Sequence, residues 1–119
     1  PHAPNEWTLK EILVHIIDDE RIYAYRALRF ARNDFTELPG FEQDDYIAPS
    51  RANERTLEDI FAELTAVRLA TLTLYENLPE EALTRAGIAS GNPMSVRAIA
   101  YHIAGHELHH INSIRENYG

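Results

Sequence analysis

The chain contains no cysteine. Disulfides and thiolate metal sites are thereby excluded, and nothing points to an oxidising compartment, so a cytoplasmic location is expected. Any metal site must be built from His, Asp and Glu, a donor set that suits zinc, nickel, iron or manganese. Basic residues are scarce: 11 Lys and Arg stand against 19 Asp and Glu, for a formal net charge of −8. That balance argues against a nucleic-acid partner, because counterion release from phosphate needs clustered cations. No apolar run approaches the ~18 residues of a membrane span, and no signal peptide is visible, so no membrane partner is expected. There is no convincing strand pattern, no repeat at a solenoid period and no low-complexity segment. An initiator methionine is also lacking: the first residue is Pro1, which is expected of a fragment, a processed chain or the ordered part of a longer one.

What is present is enough for one helical domain. The 119 residues are 45% hydrophobic and 25% charged, a globular composition, and a single domain over 1–119 is expected. Residues 1–7, with Pro1 and Pro4, read as an extended lead-in. Thr8 and Glu11 then form a capping-box pattern opening a helix to about Asn33. Its stripe is Leu9, Ile12, Leu13, Ile16, Tyr23, Ala24, Ala27 and Ala31, and Glu20 falls within it where a leucine would be the easy choice. Residues 34–55, with Pro39-Gly40 and the aromatics Phe35, Phe41 and Tyr46, predict an irregular but ordered loop packed over something, or a plain crossover. Thr56 caps a second helix to about Asn77, with Leu57, Ile60, Phe61, Leu64, Val67, Thr71 and Leu74 as its stripe; Arg68 near the flank either pairs with an inward carboxylate or snorkels, and snorkelling is the favoured expectation. Residues 85–94 read as a Gly/Asn/Pro loop, and Ser95 caps the last helix.

That last helix, Ser95–Tyr118, is the informative one. Ile99, Ile103, His106, His110 and Ile114 fall within roughly 80° of one another on a helical wheel. Two members of an inward stripe are therefore imidazoles, at i and i+4, with His102 on the flank and His109 further round. A lone histidine on an apolar face is usually a core residue with a hydrogen-bond partner. Two in adjacent turns are harder to bury without a ligand, since each unsatisfied group costs about 1–3 kcal/mol. They can share one metal ion. His106-Glu107-Leu108-His109-His110 also matches H-E-x-x-H literally. A zinc protease would take its third ligand from further downstream, where the one carboxylate is Glu116, so the context is poor.

A third ligand from the first helix fits better. His15, Asp19 and Glu20 all lie in its first half. Position on the wheel favours Glu20, ligand preference favours His15, and the residues alone leave the choice open. Three protein ligands would leave positions for water or substrate, as in a catalytic site.

Three stretches together resemble a known family: Trp7-Thr-Leu-Lys-Glu-Ile-Leu-Val-His15-Ile-Ile-Asp-Asp-Glu20-Arg21, then Tyr25-Arg-Ala-Leu-Arg-Phe-Ala-Arg32, then His102-Ile-Ala-Gly-His106-Glu-Leu-His-His110. In this order they resemble the DinB-like superfamily, over essentially the whole chain. The resemblance implies an all-α, up-down four-helix bundle, commonly dimeric, whose first helix would precede Pro1 and is absent from this chain. It also implies a metal held by His15, His106 and His110, which decides for His15 over Glu20. Glu20 then becomes a carboxylate behind the ligands or beside the substrate, or else the partner of an arginine on a neighbouring helix.

Related bundles use bacillithiol, mycothiol or glutathione. The resemblance thus implies a zinc- or nickel-dependent thiol S-transferase acting on a small molecule, with Glu20 or Asp19 moving protons or orienting a ligand. A metal-dependent hydrolase with the same ligands and a non-enzymatic metal-binding stress-response bundle are the alternatives. A homodimer fits all three.

Overall fold

The computed structural model describes residues 7–118, with side chains through 116, and shows a helical bundle. Of the expected lead-in, all but Trp7 lies outside the described residues. Helix α1 spans Leu9–Ala31. The capping box closes as the sequence predicts, with Glu11 N donating to Thr8 Oγ1 at 3.2 Å and Thr8 N donating to Glu11 Oε1 at 3.0 Å. Two of the four orphan amide donors at the helix start are satisfied in this way. After α1 come a seven-residue helix α2, Asp44–Ser50, and a 3-10 turn at Ala52–Glu54. Helix α3 spans Leu57–Glu76 and is capped by Thr56, whose Oγ1 accepts from Asp59 N at 3.0 Å. A second 3-10 turn, Glu80–Thr84, leads to strands β1, Ala86–Ala89, and β2, Asn92–Ser95. Helix α4 closes the chain over Val96–Tyr118, with Ala98 N donating to Ser95 Oγ at 3.0 Å.

Two expectations need correction. Residues 34–55 are not wholly irregular, since α2 and its following turn lie within them. Residues 85–94 are not a plain loop: β1 and β2 pair antiparallel, Ala86 opposite Ser95 and Ala89 opposite Asn92. Ser90 and Gly91 turn the hairpin with φ of 52° and 76°, the double positive φ of a tight two-residue turn. Gly87 is required for another reason. A Cβ there would sit 2.2 Å from the Phe30 ring. The loop after α1 adds to the same edge, as Leu38 N donates to Ile88 O at 2.9 Å and Ser90 N to Leu38 O at 3.1 Å.

Helix α1 is the middle of the bundle, packed against both α3 and α4. Its first half is buried almost all round, from Ile12 to Ile17, with Trp7, Ala52, Ile60 and Val67 against it. Its second half sets Ala27, Phe30 and Ala31 against Leu38, Ala89, Val96, Ile99 and Ile103. Each fully buried Ile or Phe contributes about 1.5–3 kcal/mol of transfer free energy. Helix α3 is less covered than its sequence stripe suggests. Ile60, Val67 and Thr71 are buried, whereas Leu57 and Phe61 are exposed. The reason is geometric: α3 has one long neighbour, α1, and meets α4 through side chains such as Arg68 and Tyr75. No helix among the described residues is long and apolar enough to cross a membrane.

Candidate metal centre

The α1–α4 seam brings three imidazoles together. His15 is buried on α1, and His106 and His110 sit half-buried on α4, one turn apart. Nε2 of His106 lies 3.1 Å from Nε2 of His15 and 3.1 Å from Nε2 of His110. All three residues offer ligand atoms within 4.8 Å of one another. Trp7 packs against His15, its ring 5.0 Å from the imidazole and edge-on to it.

Hydrogen bonding cannot account for this packing. A ring nitrogen carries one proton or one lone pair, so His106 Nε2 makes one good hydrogen bond, yet it faces two nitrogens at the same distance. A shared cation would satisfy both contacts. Nitrogens about 2.1 Å from one ion stand about 3.0–3.4 Å apart in octahedral or tetrahedral geometry, and the two observed separations fall in that interval. A three-histidine group of this kind can bind a divalent metal.

Electrostatics point the same way. Burial, reinforced by the neighbouring imidazoles, lowers the pKa of His15 to about 3 and those of His106 and His110 to about 4. All three are neutral at pH 7, with lone pairs free for a ligand role. Behind them stands Asp19, one helical turn from His15. Its Oδ2 lies 3.1 Å from Nδ1 of His106 and accepts from Nε2 of His102 at 3.3 Å. Burial pushes the Asp19 carboxyl up, and the facing imidazoles and Arg26 pull it back. A carboxylate at Nδ1 favours the proton on that nitrogen and turns the Nε2 lone pair to the centre. His102 is itself fixed by stacking, 3.9 Å from Tyr23 and 5.7 Å from His106 between ring centroids.

Glu20 turns the other way. It is almost fully buried, and both its oxygens are taken by Arg68 of α3, at 3.1 Å from Nε and 2.9 Å from Nη2. The same Nη2 reaches Glu107 of α4 at 2.8 Å. The expected snorkelling of Arg68 is therefore corrected: its stem is long enough to clamp two inward carboxylates, and the buried Glu20 charge needs a partner. Of the expected site residues, His15, Asp19, His106 and His110 meet in one place, while Glu20 belongs to the clamp. His102 was visible in the sequence on the flank of the stripe, but its contact with Asp19 depends on how α1 faces α4.

A family model of the DinB superfamily matches residues 1–114. The chain belongs to the DinB superfamily. Neither the curated proteins nor the solved structures include a match to it. Family membership and the observed bundle agree with the all-α fold the sequence implies, and the three-histidine group of this DinB protein lies within the matched residues.

Proposed function

We propose that this DinB protein is a metal-dependent enzyme of the thiol S-transferase type, working as a single helical unit over residues 1–119. It joins a low-molecular-weight thiol (bacillithiol, mycothiol or glutathione) to a small electrophile. The observation that supports this reading most is the convergence of three neutral imidazole nitrogens from two helices on one point. His15, His106 and His110 hold the ion, and their all-nitrogen donor set favours zinc or nickel. When bound, the ion acts as a Lewis acid that favours thiolate over thiol at neutral pH. Three protein donors leave room for the thiol beside them.

The chain's own residues prepare that site. Asp19 keeps the proton on Nδ1 of His106, and His102 holds Asp19 in place and is the more exposed proton carrier beside it. Glu20 acts by position, holding Arg68 and through it Glu107, the residue next to His106. Trp7 shields His15 from water. A cytoplasmic homodimer is part of the proposal, without nucleic-acid or membrane partners. Phe61, Leu69 and Leu72 are exposed along α3, a face that a second copy would cover.

The test is product analysis with an aryl halide and each thiol. Metal-loaded protein should form the thioether and release halide, and His106→Ala should not. Phenol in place of thioether, with the same metal dependence, would make the protein a hydrolase. Equal rates in wild type and His106→Ala would remove the enzyme reading.

A further inference from the structure

Away from the histidines, the molecule buries a cation that forms no ion pair with a carboxylate among the described residues. Arg26 lies on α1, about 16 Å along the helix axis from His15 at 1.5 Å per residue, and is 2% exposed. Its Nη2 donates to Ser90 Oγ at 3.0 Å and to the Pro39 carbonyl at 3.3 Å. Its Nη1 is buried with no hydrogen-bond partner among the described residues. The guanidinium rests over the rings of Tyr23, at 4.8 Å, and Phe41, at 5.9 Å. Asp19 feels its charge but lies beyond ion-pair distance. A buried guanidinium with a free donor and no anion is costly to keep. Arg68, at 33% side-chain exposure, nevertheless has two carboxylates.

Arg26 also lines a cavity of about 360 Å³, together with Ile22, Leu38, Phe41 and Tyr46, a volume within the range of small-ligand sites. No acidic side chain among the described residues lines it. The other cation there, Arg29, is already tied to Asp34 at 2.7 Å. One positive charge is thus left without an ion-pair partner among the described residues, in a chain of net charge −8. A single negative charge balances that cation, whereas a dianion would bury an excess. A carboxylate matches the planar donor fork of a guanidinium, and the apolar and aromatic lining suits an apolar body behind it.

We propose that this cavity binds the carboxylate of a small organic monoanion, with Arg26 as the buried donor and Phe41 and Tyr46 against the ligand's apolar body. The assignment rests on the surroundings of Arg26 and is independent of the metal centre.

Benzoate is a suitable probe, with benzamide as its neutral counterpart, titrated calorimetrically into the whole chain. Benzoate should bind at least tenfold more tightly than benzamide and more tightly than inorganic phosphate. Binding should persist in His106→Ala and weaken tenfold or more in Arg26→Met with the helical circular dichroism unchanged. If Arg26→Met does not fold, Phe41→Ala at the rim should weaken benzoate several-fold instead. No benzoate binding at about 10 mM, equal affinity for benzamide, or tighter binding of phosphate would overturn the assignment. So would undiminished binding in Arg26→Met, or in Phe41→Ala where that variant stands in for it. Binding lost in His106→Ala but kept in Arg26→Met would place benzoate on the histidines and would equally overturn it.

Discussion

Two polar clusters flank the buried half of α1, and they differ in whether they are complete. On the α3 side, Arg68 meets Glu20 and Glu107, so every charge has a partner within 3.1 Å. On the α4 side, three imidazoles point donor atoms at one another with no proton arrangement that satisfies all of them. The first cluster is closed and ties three helices together. The second is not closed by hydrogen bonds among the described residues, and neutral imidazoles at that spacing could hold a divalent metal. Burial alone would not have separated structural from functional polarity here, because Glu20 and His15 are both nearly inaccessible. The count of satisfied donors and acceptors does.

This contrast predicts opposite outcomes for substitutions in the two clusters. Arg68→Met leaves Glu20 buried and unpaired, so stability should fall by about 3 kcal/mol while metal stoichiometry is kept. Denaturant unfolding with metal analysis checks both, and loss of metal at full stability would break the distinction. Asp19→Asn should do the reverse. Metal affinity should weaken about 10–100-fold with little loss of stability, because the Asp19 charge is one that burial disfavours. Competition with a chromogenic chelator gives the affinity, and a wild-type value would remove Asp19 from the site.

A smaller effect comes from pH. In the unfolded chain the three histidines protonate near the ordinary imidazole value of about 6.5, whereas in the folded apo-protein they resist until about 3 to 4. Between those values the unfolded state binds more protons, so apo-protein stability falls as pH drops below about 6.5. The slope is at most about 1.4 kcal/mol per pH unit for each histidine, and less for the half-exposed His110. Asp18 and Asp19, both pushed up chiefly by burial, act in the opposite sense nearer the carboxylate range. The loss should therefore be clearest between about pH 6.5 and 5. A flat melting temperature over that interval would mean that the imidazoles are not buried as neutral groups.

How much of this could be read in advance follows from geometry. His106 and His110 were legible because helical spacing fixes which residues share a face. The choice between His15 and Glu20 was not, because the first half of α1 is buried on nearly every side and both residues point inward, toward different neighbours. Only the resemblance separated them. Arg68 was misjudged for a related reason: a stripe shows that an arginine lies near the core but not whether a carboxylate waits within its reach. The hairpin was missed because Gly87 and Pro93 look like breakers. Gly87 is there for the Phe30 ring, and Pro93 is tolerated on a short edge strand opposite Ile88. Arg26 gave no signal at all, since its burial depends on the loop at Pro39 and the turn at Ser90.

Everything proposed for the histidine cluster depends on its completion by a metal ion. Elemental analysis of the purified protein after titration with zinc or nickel and removal of excess, with His106→Ala beside it, tests this most directly. The wild type should hold about one equivalent of metal, and His106→Ala should retain none. Failure of the wild type to take up metal, or equal retention by the variant, would contradict a metal centre and leave the three imidazoles as core residues.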